Sequence, residues 1–125
     1  MISPVSVFDV GRVINTKTAL SQAYSGITQG IGMALMEETV YDKRNGSIVS
    51  SSLADYLLPV NADIPDIDVT FLDIPDYNIS SIGARGLGEI TITGVAPAIA
   101  NAVYHATGVR VRDLPITVEK LMSST

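Results

Sequence analysis

The chain has 125 residues, a net charge of -5 and no cysteine; 46% of its residues are hydrophobic and only 17% charged. That length suits one domain with a real core, and an acidic surface without interleaved basic and aromatic residues is unsuited to nucleic acid. The missing thiols exclude disulfides, thiolate zinc sites, cysteine catalysis and iron–sulfur ligation from this polypeptide. High apolar content with few charges points to surface covered by other protein, or to a piece of something larger. Met1-Ile2-Ser3-Pro4 lacks the charged and apolar regions of a signal peptide. A cytoplasmic location is preferred over a periplasmic one.

In chain order, Val5-Ser6-Val7-Phe8 reads as a short strand ending at an Asp9-Val10-Gly11 turn. Residues 17–37 form a predicted helix, because Leu20, Tyr24, Ile27, Ile31 and Leu35 recur at spacings of three and four. A second stripe on it is small: Ala19, Ala23, Gly26, Gly30 and Ala34. Each helix-interior glycine costs roughly 1 kcal/mol relative to alanine. Another backbone or a flat ligand against that face would justify the cost. The G-x-x-x-G spacing of Gly26 and Gly30 occurs in membrane helices, but Gln22, Thr28 and Gln29 interrupt the segment.

Residues 39–41 and 47–49 read as two strands of a hairpin around Asn45-Gly46, which tolerate positive φ. Residues 50–67 are irregular, and residues 68–73 alternate as a half-buried strand does. The aspartates at 63, 66, 68, 73 and 76 look like solvated loop residues, not a calcium site. A second helix starts between residues 93 and 97, with Pro97 acceptable in its first turn and Gly108 as its C-terminal cap. Thr117 caps a last short helix. There is no regular βαβα alternation, so the expected fold is α+β: one domain over residues 1–125, with two main helices packed on one face of a small mixed sheet.

Gly83-Ala84-Arg85-Gly86-Leu87-Gly88-Glu89 is the most informative segment. Glycines spaced this way mean tight backbone geometry or a ligand against the main chain. Their order, G-x-x-G-x-G, is neither a dinucleotide fingerprint nor a phosphate loop. Successive N–H groups before a helix can form an anion nest, and Arg85 adds a planar donor fork suited to phosphate or carboxylate. Spacing alone favours a tight loop with Glu89 stabilising a helix start. By the same standard Gln22 is an exposed helix glutamine, Arg12 a surface ion-pair partner, and the lone His105 a helix-face residue. No side-chain metal ligands are expected.

Gly86-Leu87-Gly88-Glu89 resembles the G-x-G-E signature of the molybdenum-binding subunit of the xanthine dehydrogenase and aldehyde oxidase family. Gln22, Gly26, Gln29, Gly30 and Gly32 resemble that family's Q-x-x-x-G-x-x-Q-G-x-G helix, and residues 9–15 the strand and turn before it. Leu53-Ala54-Asp55-Tyr56 with Pro59, residues 98–110 and residues 112–117 match further stretches in order, so the resemblance covers nearly the whole chain. Bacterial three-subunit aldehyde dehydrogenases look most similar. Two departures, Tyr24 in place of an acidic residue and Ile90 in place of a proline, bear on substrate preference and remove no reacting group.

The resemblance implies that Glu89 is a general base, taking a proton from a hydroxide on molybdenum during oxidation of an aldehyde or an N-heterocycle such as a purine. It implies that Arg85, Gly86, Leu87 and Gly88 lie against a molybdopterin cofactor, in its cytosine dinucleotide form, through their backbone. Gln22 would hydrogen-bond that cofactor, with Arg12 and Asn15 near its phosphate or nucleotide end. Implied partners are the rest of the molybdenum subunit, iron–sulfur and flavin subunits and a small-molecule substrate, with neither nucleic acid nor membrane. The family's subunit is several times longer, and this chain resembles its C-terminal part. The expectation is an excised portion that is inactive and cofactor-free alone. The alternative is a non-catalytic interaction or assembly domain that kept the fold.

Overall fold

A computed structural model describes residues 3–123. Its elements are β1 (Val5–Phe8), α1 (Thr16–Leu35), β2 (Asp68–Phe71), a 3₁₀ segment (Gly88–Ile92), α2 (Val95–Thr107) and α3 (Val118–Met122). The α+β class holds, but the sheet is two-stranded and parallel, not mixed: Val5 pairs with Asp68 and Phe8 with Phe71. Parallel neighbours need a long crossover, and here α1 and residues 36–67 supply it.

α1 begins where Asn15 Oδ1 accepts the Thr18 N–H at 3.1 Å, a side-chain cap for an otherwise unpaired donor. Its stripe of small residues is buried against protein. A Cβ at Gly26 would strike Thr91, and one at Gly30 would strike Val95. The glycines therefore admit the 3₁₀ segment and the start of α2 at close range. Ile27, Ile31 and Ala34 meet Ile99 and Ile116 in the core, with Phe8 and Val69 against them from the strands. Both main helices thus share one face of the sheet, and the outward Val5 and Val7 stay exposed.

Gly108 ends α2 at φ 75, its N–H bonded to the Tyr104 carbonyl, and Thr117 caps α3 by accepting from Lys120 N. Ile116 N–H donates to the Ala34 carbonyl at 2.7 Å, fastening the last segment to α1. The expected hairpin is reduced to one bridge, Tyr41 with Ile48. Only Gly46 adopts positive φ there; Gly46 N–H reaches back to the Asp42 carbonyl, making a wider turn than a two-residue hairpin. The segment is exposed and rests on no sheet, so nothing extends the pairing. Among the described residues no helix is long and apolar enough to cross a membrane.

Candidate functional site

Two backbone stretches far apart in sequence are stitched together at the site. Arg85 N–H donates to the Val10 carbonyl and Arg12 N–H to the Gly83 carbonyl, both at 2.8 Å, forming a bridge between Gly11 and Ala84. Gly11 and Gly83 carry φ of 67 and 75. A Cβ on Gly11 would collide with the Gly83 carbonyl, and one on Gly83 would sit 2.9 Å from Pro75 Cβ. Val13 N–H donates to Asp73 Oδ1 at 2.7 Å, and Asp73 itself holds φ 51, a region aspartate tolerates better than most residues.

Arg85 locks this junction. Its Nη1 donates to Asp9 Oδ2 at 2.8 Å, and its Nε and Nη2 donate to Asp76 Oδ2 at 3.0 and 2.5 Å. The Asp76 carboxyl is held below its usual range, first by the Arg85 hydrogen bonds and then by the Asn78 N–H; the same partner raises the Arg85 guanidinium further. Asp76 is thus not the solvated loop residue expected from the sequence. The donor fork of Arg85 is spent on two carboxylates of its own chain, which leaves the loop backbone as the surface presented outward.

Past Arg85 the chain opens. Gly86 and Gly88 have no positive φ, and a Cβ built on either meets nothing within 4 Å. Among the described residues neither local conformation nor packing calls for glycine at 86 or 88, unlike 11 and 83. Both line an open pocket of about 690 Å³ with Arg85, Leu87, Glu89 and Ile90. Glu89 lies in the first turn of the 3₁₀ segment and is exposed. Among the described residues its carboxylate makes no hydrogen bond or ion pair. The segment is seated by Thr91, which is 2% exposed and donates to the Gln22 carbonyl at 3.4 Å.

A smaller pocket of about 200 Å³ adjoins it, lined by Arg12, Asn15, Gln22, Arg85 and Leu87 among others. Arg85 and Leu87 belong to both. The eight residues singled out in the sequence therefore gather along one continuous surface, with Glu89 at one end and Arg12 and Asn15 at the other. Their states differ. The Gln22 side chain is exposed and unpaired among the described residues. Arg12 Nη2 donates to the Tyr77 hydroxyl at 3.3 Å. Asn15 caps α1, a role its place before a helical pattern could have revealed. Asp9 and Tyr77 were missed because their partners lie 76 and 65 residues away, and Asp76 because a loop aspartate nine residues before an arginine carries no periodic signal. Among the described residues no group of three or more His, Cys, Asp or Glu is placed to hold a metal ion.

The loop backbone left open beside Glu89 is continuous with a groove lined by the side chains of Arg12, Asn15 and Gln22. Residues 2–65 match the molybdopterin cofactor-binding domain, and the chain belongs to that family. It is 51% identical, over 118 residues and 94% of its length, to the aldehyde oxidoreductase molybdenum-binding subunit PaoC of Escherichia coli, of which it spans 16%. It is 38% identical over 117 residues to the putative xanthine dehydrogenase molybdenum-binding subunit XdhA of the same organism, spanning 15% of that protein. Among solved structures, quinoline 2-oxidoreductase from Pseudomonas putida superposes with a TM-score of 0.85 at 35% identity, over 94% of this chain and 15% of that one. The chain thus spans about one sixth of the length of the curated relatives it matches.

Proposed function

We propose that this chain is one wall of the active site of a molybdenum hydroxylase that oxidises aldehydes or N-heterocycles such as purines. The observation that carries the reading is the pair Gly86 and Gly88, glycines that nothing among the described residues demands, opening onto the pocket that holds Glu89. A Cβ at either position would occupy the space a cofactor needs, so the residues fit the molybdopterin group that the family binds. Bound there, that group supplies the redox chemistry, while protein residues position it and move protons.

In this reading the backbone from Arg85 to Gly88 supports the cofactor. Gln22 offers its amide from α1, and Arg12 and Asn15 offer a guanidinium and an amide to the phosphate or nucleotide end of the cytosine dinucleotide form. Glu89 is the general base. Its carboxylate is exposed beside the open loop, and no partner among the described residues competes for its oxygens. Ile90 and Leu87 supply apolar surface beside it, suited to the body of an aldehyde or heterocycle. The rest of the molybdenum subunit closes the site, and iron–sulfur and flavin subunits carry the electrons away, in a cytoplasmic assembly.

The test is Glu89→Gln in the full-length molybdenum subunit assembled with its electron-transfer partners. Turnover is expected to fall roughly 10²- to 10⁴-fold, with molybdenum and pterin content unchanged. Undiminished turnover would remove Glu89 from the chemistry and return the chain to the reading of a non-catalytic assembly domain.

A further inference from the structure

Among the described residues β1 has only one hydrogen-bonded neighbour, β2. Asp68 N–H donates to the Pro4 carbonyl and Leu72 N–H to the Phe8 carbonyl. In a parallel pair the bonding groups alternate along the strand, so Ser6 and Phe8 face β2 while the N–H and C=O of Val5 and Val7 face the other edge. Among the described residues no strand or bridge lies against that edge. A groove of about 570 Å³ runs along it, walled by residues 3–8 on one side and by Ile90, Val95, Ala98 and Ala102 on the other. Its floor reaches the core residues Ile27 and Ile99. Open backbone groups beside an apolar groove are a template for strand addition, and the small Ala98 and Ala102 leave room for a backbone. A two-stranded sheet is marginal by itself.

We infer that β1 is an internal strand in the assembled protein, its free edge paired with an extended segment of the larger molybdenum-binding subunit whose alternate apolar side chains fill the groove. The size of the relatives argues for that occupant, because about five sixths of their polypeptide lies outside the part matched here. The chemistry of the edge specifies a strand: it needs two N–H and two C=O partners at Val5 and Val7, which a helix packed on the groove would not provide. The occupant rests on the membership of a larger subunit proposed above; the pairing does not depend on the role of Glu89.

Amide hydrogen exchange on the full-length subunit tests this. The Val7 amide is expected to exchange as slowly as that of Phe8, which β2 protects, and Glu89→Gln should leave both unchanged even if it abolishes turnover. Val7→Pro removes only the outward N–H, so it spares the β2 pairing; proline is tolerated at a true edge and excluded from an internal strand. Its yield of assembled subunit should fall about tenfold or more below that of Val7→Ala, from loss of a buried hydrogen bond. A Val7 amide exchanging at a solvent-exposed rate in wild type, or Val7→Pro assembling as well as Val7→Ala, would overturn the inference. So would protection of Val7 that appears in the 125-residue chain only as it self-associates, since the occupant would then be a second copy.

Discussion

Glycines in this chain answer to different demands, and substitution separates them. Gly83 needs its positive φ and sits against Pro75, so Gly83→Ala should cost at least about 1–2 kcal/mol from the left-handed backbone alone, visible as a lower Tm. Gly86→Ala and Gly88→Ala should leave stability within about 0.5 kcal/mol of wild type while lowering cofactor content in the assembled subunit; full cofactor content in both would refute the cradle. Asp76 makes the junction sensitive to acid. Its folded carboxyl titrates below its ordinary value, so the stabilisation by Arg85 is complete above about pH 4 and is lost as pH falls through the folded value. Amide shifts of residues 83–85 should follow that titration, and Asp76→Asn should abolish it. The pair is partly exposed, so solvent screens it and its effect stays local.

At the scale of elements, local signals were strong wherever a helix had to start or stop. The three- and four-residue spacing along α1, Gly108 after α2 and Thr117 before α3 all sit where expected, because caps and amphipathic stripes act within a few residues. The hairpin expected at Asn45-Gly46 did not extend, since turn chemistry proposes a pairing and only a packed face sustains it. For Asn15 the cap is observed and the cofactor contact is proposed. As the α1 cap, Asn15→Ala should cost about 0.5–2 kcal/mol, and Asn15→Asp should restore stability. If its amide also meets the cofactor's anionic end, Asn15→Asp should still bind that cofactor poorly; equal cofactor retention in Asn15→Asp and wild type would leave it a cap alone.

Across the whole molecule, apolar residues lie open on several sides: Val5 is 70% exposed, Leu53 82% and Ile90 54%. Surface of this kind marks contact with other protein, and the site itself has walls on one side only. The 125-residue chain by itself should therefore carry no stoichiometric molybdenum and oxidise no aldehyde; metal analysis finding one molybdenum per chain would contradict this. The chain's order of motifs determined the family and pointed to Glu89, because a cofactor surface demands particular residues at particular spacings whatever surrounds them. Periodicity and caps determined the helices for the same local reason. Only the tertiary structure decided that β1 and β2 pair in parallel across a 59-residue crossover, that Gly26 and Gly30 receive Thr91 and Val95 instead of a ligand, and that Arg85 is consumed by Asp9 and Asp76. Those contacts join residues distant in sequence, and partners held by long-range packing leave no periodic trace in either segment. The same packing set Arg12, Asn15 and Gln22 beside the loop that carries Glu89.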